Sequence, residues 1–145
     1  MSYDLLVFEP GAAPVDDRIA FIAWFSQVVR LRDGHLLSDP AQTSPALQRW
    51  YEGMAEMFPH IGSARAGKSE MQEDEVNADY RFAPAAVFAR FEWRVSRKAY
   101  HRGMKLARAN GLGFFDASGE SALCYTVVNG RFILAHRGDP IPADA

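Results

Sequence analysis

An Asn-Gly pair near the C-terminus constrains the fold of this chain more than any other sequence feature. Asn129-Gly130 separates the segments LCYTVV and RFILA, both rich in β-branched and aromatic residues. An Asn-Gly pair between two such runs is the strongest short-range signal for a β-hairpin. The C-terminal part of the chain is therefore predicted to be antiparallel sheet.

A second hairpin is predicted over residues 78–93. Apolar and polar residues alternate in 78–82 and again in 87–93, where Phe88 is the exception, with Ala83-Pro84-Ala85 between the two runs. Alternation with a period of two is typical of strands, and aromatic and β-branched residues dominate here. A competing interpretation is a long helix from Pro84 to Asn110, because several apolar residues also fit a helical stripe.

Three other segments carry apolar residues at spacings of three and four, which predicts helices. The first runs from about Asp16 to Arg30. The second begins at Ser44-Pro45, where serine can cap the helix and proline suits its first position, and Pro59 stops it. The third runs from Val95 to Asn110 and ends at an Asn-Gly pair.

Two short strands complete the pattern. Tyr3 to Phe8 reads YDLLVF, with apolar residues on both faces, which suits a central strand. Leu112 to Asp116 follows the last helix. The order predicts an α+β, ferredoxin-like (β-α-α-β-β-α-β) sheet with an added C-terminal hairpin and helices on one face. At 145 residues we expect one domain, 1–145, with a mobile acidic loop at 62–77.

Composition excludes several classes of protein without naming a function. Hydrophobic residues make up 48% of the chain and charged residues 23%, as in ordinary globular proteins. A formal charge of -2 identifies no partner. No apolar run approaches the length of a membrane span, the N-terminal segment suits a strand better than a signal peptide, and Cys124 has no partner for an intrachain disulfide. A cytoplasmic location and no membrane association are expected.

The third predicted helix carries a basic stripe at spacings of three and four. Its members are Arg94, Arg97, Lys98, His101, Arg102, Lys105 and Arg108. Such a stripe could bind phosphates or an acidic protein surface, so Arg97, Lys98, Arg102 and Lys105 form a possible second binding surface. The alternative is the solvated side of an amphipathic helix.

The opposite charge gathers in the predicted acidic loop and just after it. The residues are Glu70, Glu73, Asp74, Glu75 and Asp79. Clustered carboxylates could hold a cation, mimic phosphates or dock on a basic partner. The spacing and the glycine of a calcium loop are missing. Two interpretations therefore stay open: the carboxylates bind a partner, or they only keep the loop soluble.

No residue pattern predicts catalysis or metal binding. The four histidines are far apart, Cys124 suits a packed strand, and Ser118 lies in a turn-like sequence. Asp4, Glu9 and Asp116 lie at strand ends, where acid-base pairs occur, although capping and turn roles explain them as well. We expect no catalytic residue, no metal and no cofactor. The tryptophans and Tyr51 are expected in the core.

Three blocks resemble a group of small bacterial proteins associated with toxin and immunity loci. The blocks are SYDLLVFEP, SDPAQTSPALQRWYEGMAEMFP and ARANGLGFFDASG. In that group a YDL-V-F-P strand opens the chain and a G-V-G-F-F-D-V-S-G strand follows the last helix. The present chain departs from the pattern by its longer Asn-Gly hairpin and its acidic loop. The resemblance implies an immunity protein that binds a co-produced toxin, and it supplies no catalytic residues.

We therefore expect an antitoxin of the bacterial cytoplasm, not an enzyme, whose acidic loop occludes the active site of a cognate toxin protein. Two alternatives stay open. One is a small-molecule enzyme or ligand-binding domain with a pocket between helices and sheet and Asp116 among its polar groups. The other, less favoured, is nucleic-acid binding through the basic helix, residues 94–108.

Overall fold

The computed structural model describes residues 2–29, 39–61 and 77–141. The elements are strand β1 (Ser2–Phe8), helix α1 (Arg18–Val29), helix α2 (Pro45–Ala55), strands β2 (Asp79–Ala83) and β3 (Ala86–Glu92), helix α3 (Ser96–Ala109), and strands β4 (Gly113–Phe115), β5 (Cys124–Val128) and β6 (Arg131–His136). The predicted mobile loop at 62–77 lies outside the described residues except for Asn77. The single-domain assignment stays a prediction.

The strands form one six-stranded sheet in the order β2-β3-β1-β4-β5-β6. All of its described strand pairs are antiparallel. The predicted mixed α+β class is therefore confirmed. The long helix starting at Pro84 is wrong, because β2 and β3 pair as a hairpin in which Ala83 faces Ala86.

The Asn-Gly turn has the geometry that its sequence demands. Asn129 and Gly130 both have positive φ angles, 51° and 77°. Positive φ at both central residues is the mark of the turn that matches the right-handed twist of paired strands. The turn sets β5 against β6 so that Val128 pairs with Arg131.

The expectation of helices on one face is wrong. On one side of the sheet, Leu5 and Val7 pack in a cluster with residues of α2 and α3. On the other side, Leu6 and Phe8 pack with Phe21 of α1 and its neighbours. Because successive side chains of a strand point to opposite faces, α1 covers the face that α2 and α3 leave open. An apolar strand at the sheet centre requires cover on both sides.

Capping residues set the starts of α1 and α2. The Asp17 carboxylate accepts hydrogen bonds from the backbone N–H groups of Ile19 and Ala20, so α1 begins at Arg18 and not at Asp16. Ser44 Oγ accepts from the N–H of Leu47 at 3.3 Å, as predicted for the start of α2. Within the described residues no helix combines the length and apolarity that crossing a bilayer requires.

Candidate functional site

Most of the predicted acidic surface lies outside the described residues. Glu70, Glu73, Asp74 and Glu75 belong to the segment 62–76, whereas Asp79 begins β2 and its Oδ1 lies 3.1 Å from Arg81 Nε. The ends that flank this segment are joined by backbone hydrogen bonds. Ile61 N–H donates to the carbonyl of Ala78 at 2.8 Å, and Ala78 N–H donates to that of Pro59 at 3.0 Å.

The surface beside these flanks combines exposed apolar and acidic groups. Met57 and Ile61 are 42% and 62% exposed. Ile61 lines a cavity of about 420 Å³, whose other lining residues include Asn77, Asp79, Arg90 and Glu92. Asn77 Oδ1 is buried and has no hydrogen-bond partner among the described residues. We call Met57, Ile61, Asn77, Asp79 and Glu92 the β2-edge surface, because they lie at the β2 end of the sheet.

The predicted basic surface on α3 is exposed but not uniform. Arg97, Lys98 and Lys105 are exposed. Arg102 instead donates from Nε to the carbonyl of Gly53 at 2.9 Å, and its guanidinium lies 3.6 Å from Glu56. Arg102 therefore ties α3 to α2, and the other three side chains remain as the candidate surface.

This difference leads to a matched prediction. Arg102→Ala should lower the free energy of unfolding by about 1 kcal/mol, because a charged donor to the α2 backbone is lost. Arg97→Ala removes the same charge from the same helix and should change the free energy of unfolding by less than about 0.5 kcal/mol. Urea denaturation of both variants measures the difference, and equal losses would show that Arg102 does not join the helices.

The three strand-end carboxylates do not meet. Asp4 accepts from Arg90 Nε at 3.1 Å. Glu9 accepts from the hydroxyl of Ser44, which caps α2. Asp116 is 8% exposed and accepts at Oδ1 from the Tyr3 hydroxyl at 2.6 Å. Each carboxylate thus has a separate structural partner, and they form no shared acid-base pair.

Tyr3 and Asp116 form a polar contact that sequence reasoning missed. Burial raises the pKa of Asp116, and the hydrogen bond from Tyr3 partly offsets this. Burial, followed by the nearby Asp116 charge, raises the pKa of Tyr3. Tyr100 lies close by, and burial together with Tyr125 and Asp116 raises its pKa to about 12. A signal was present, because Tyr3 shares a strand face with Leu5 and Val7, and a buried hydroxyl needs an acceptor.

Removing the Tyr3 hydroxyl should raise the pKa of Asp116 further, because the lost donor stabilises the carboxylate. A raised pKa means that the folded chain holds this proton more tightly than the unfolded chain. The contribution of Asp116 to stability is therefore greatest at low pH and falls as the pH rises through the folded pKa. A carboxyl-carbon NMR titration of Tyr3→Phe should show a higher midpoint for Asp116. The control Tyr80→Phe, which removes a buried hydroxyl that donates to the Phe58 carbonyl, should not move it.

Cys124 and Ser118 are the side chains that could act as nucleophiles, and both have structural roles. Cys124 is fully buried, and burial raises the pKa of its thiol to about 12, so the thiolate is scarce at neutral pH. Ser118 Oγ accepts the backbone N–H of Asp4 at 2.8 Å, in keeping with the predicted turn role. Within the described ranges no three His, Cys, Asp or Glu side chains gather in a way that could hold a metal ion.

The opposite end of the sheet carries a second unusual surface. Val128, Ile133 and Leu134 are exposed large apolar residues of the β5–β6 hairpin. A groove of about 500 Å³ beside them is lined in part by Arg108 and Arg131. We call Arg108, Val128, Arg131, Ile133 and Leu134 the β6-edge surface. Sequence reasoning predicted the hairpin but not the exposure of its apolar side chains.

Comparison with known proteins adds no assignment. No protein-family model matches this chain, and no curated protein or solved structure is significantly similar to it.

Proposed function

We propose that this chain is a bacterial immunity protein that binds a cognate toxin and occludes its active site without chemistry of its own. The observation that carries the proposal is the β2-edge surface. Its apolar residues Met57 and Ile61 lie where the flanks of the acidic segment are joined. An apolar centre with charged surroundings is the usual composition of a protein–protein interface.

The charge of this region suggests what it binds. Asp79 and Glu92 line the cavity together with Arg90, and the sequence of the segment 62–76 includes Glu70, Glu73, Asp74 and Glu75. A toxin that acts on nucleic acid or another anion has a basic active-site cleft, and acidic groups complement such a cleft. We therefore propose a basic toxin cleft as the partner surface, contacted in the bacterial cytoplasm.

We also propose that β1 to β4, with α2 and α3 on one face, form a ferredoxin-like unit. The strand order β2-β3-β1-β4 supports this arrangement. In this proposal α1 is an addition that covers the second face, and the β5–β6 hairpin extends the sheet.

Reversing the acidic charges tests the function. In cells that carry a gene for the proposed cognate toxin, the variant with Glu73→Lys, Asp74→Lys and Glu75→Lys should lose most of its protection, because like charges then face the basic cleft. Protection is measured as survival after toxin induction.

A control with the same change in net charge makes the test specific. Glu52, Glu120 and Asp139 are exposed in other parts of the molecule, and their joint reversal to lysine should preserve protection. Ile61→Ser should weaken protection, whereas Ile19→Ser, at an 84% exposed isoleucine of α1, should not. Full protection by the acidic-segment variant, with normal expression, would remove this segment from the interface.

Nucleic-acid binding remains a second candidate because one observation favours it. Between Trp93 and Phe115 the sequence contains no acidic residue, and Arg97, His101, Lys105 and Arg108 are exposed on one side of α3. Phosphate contacts weaken steeply with salt. Affinity for a short RNA that survives high salt, and survives neutralisation of Arg97, Lys98 and Lys105, would count against this function.

A further inference from the structure

The outer side of β6 is an uncovered sheet edge in the part of the chain that the structure describes. β6 pairs with β5 on one side, and it ends the strand order of the sheet. Natural proteins usually protect such an edge with charged side chains, proline or a covering segment. β6 instead carries Ile133 and Leu134, which are 41% and 44% exposed. Because they are neighbours in a strand, they present apolar surface on both faces of the edge.

Basic groups accompany this apolar edge. The guanidinium carbon of Arg108 lies 5.1 Å from the centre of the Phe132 ring, which holds α3 against β6. Arg131 lies in the same groove. Asp116 and Glu120 are the only acidic residues from Trp93 to Gly138, and Asp116 is buried against Tyr3. Both charged residues that line this groove are basic.

We propose that the β6-edge surface docks an extended acidic segment of another protein, which adds to the sheet as a further strand. Its backbone pairs with the open edge of β6, its apolar side chains cover Ile133 and Leu134, and its carboxylates pair with Arg108 and Arg131. This site goes beyond toxin binding at the β2-edge surface and does not depend on it.

Charge favours this occupant over a second copy of the chain. β6, Arg131–His136, carries the charge of Arg131 and no carboxylate, so a second β6 strand would bring another arginine and no acidic partner for it. Like charges facing each other across a strand pair are unfavourable. An acidic strand meets the same residues with attraction.

A peptide provides the test. The probe is a short peptide in which two glutamates alternate with two valines, so that each face of the strand carries both residue types. It is acetylated and amidated at its ends, titrated into the isotope-labelled full chain and followed by amide NMR. We expect saturable shifts confined to β6, its turn and the end of α3, with affinity falling as salt is added. A peptide with lysine in place of glutamate should cause none. The glutamate peptide with every backbone nitrogen methylated should also fail, because it has no N–H group left to pair with β6.

Charge variants locate the site. Arg108→Glu with Arg131→Glu should weaken binding of the glutamate peptide by about tenfold or more. Arg97→Glu with Lys98→Glu makes the same charge change roughly three turns earlier on α3 and should leave the affinity unchanged. Thermal unfolding of each variant confirms that it is folded.

Three results would overturn the proposal. The first is equal binding of the lysine peptide, and the second is an absence of shifts in β6 at millimolar glutamate peptide. The third is a stable dimer in sedimentation that Ile133→Lys dissociates, which would assign the edge to self-association.

Discussion

Replacing Trp50 with alanine should lower the free energy of unfolding by about 3–5 kcal/mol, the range for losing a buried large aromatic side chain. Trp50 is fully buried between α2, α3 and the sheet, and its indole N–H donates to the Gly103 carbonyl at 2.9 Å. The Tyr80 ring stands edge-on to it, with the ring centres 6.2 Å apart. Alanine would leave a cavity that neighbours on three elements cannot close.

Trp93 offers a matched control for this substitution. It is 46% exposed, and its ring contacts that of Tyr3 at a centre-to-centre distance of 6.4 Å. Trp93→Ala should therefore cost about 1 kcal/mol or less. Urea denaturation should show a large fall in midpoint for Trp50→Ala with little change in slope. Similar midpoints for the two variants would contradict the position of Trp50 in the core.

Gly113→Ala should destabilise the fold by about 1–3 kcal/mol, the usual cost of overpacking a core. Gly113 pairs with Phe8 across β1 and β4. An added Cβ would overlap the Phe8 ring, which is itself packed against Phe21 and Trp24. The ring cannot move aside without disturbing the contact between α1 and the sheet.

Gly11→Ala is the control for this prediction, because a Cβ at Gly11 would meet no atom within 4 Å. We expect its thermal midpoint to stay within a degree or two of the unchanged protein. An unchanged midpoint for Gly113→Ala as well would mean that Phe8 does not pack over the strand at this point.

The sequence predicted the elements well because their signals are local. The turn at Asn129-Gly130 needs only the two residues that tolerate positive φ, and Ser44-Pro45 contains the whole capping signal of α2. The hairpin of β2 and β3 follows from its alternation. In each case the physical cause lies within a few residues, so one sequence is sufficient to reveal it.

The faces of the sheet were harder to predict, since they depend on which helix covers which side. The apolar residues on both faces of β1 indicated that both sides of the sheet are covered. The prediction of helices on one face conflicted with this pattern. Leu6 and Phe8 require α1, whereas Leu5 and Val7 require α2 and α3. The strand face of Tyr3 indicates that its hydroxyl needs a buried acceptor, but that acceptor, Asp116, is far away in sequence, so no spacing pattern identifies it.

The candidate surfaces show the same limit. Charge stripes are visible in the sequence, but the structure distinguishes Arg102, which binds the α2 backbone, from its exposed neighbours. The apolar residues Ile61 and Ile133 look like core residues in the sequence, and the structure places both on the surface. Exposure of an apolar side chain is a property of the whole fold, and it is what directs both proposals to the two ends of the sheet.

Titration of the toxin with this protein tests the central claim most directly. The activity of the proposed cognate toxin is measured in vitro while the protein is added in increasing amounts. Occlusion without chemistry predicts that activity falls in proportion to added protein and is lost at about one equivalent. Separating the two proteins under denaturing conditions and refolding the toxin should restore its activity. Loss of activity far below one equivalent, or a toxin that stays inactive after separation, would contradict the account and indicate catalysis.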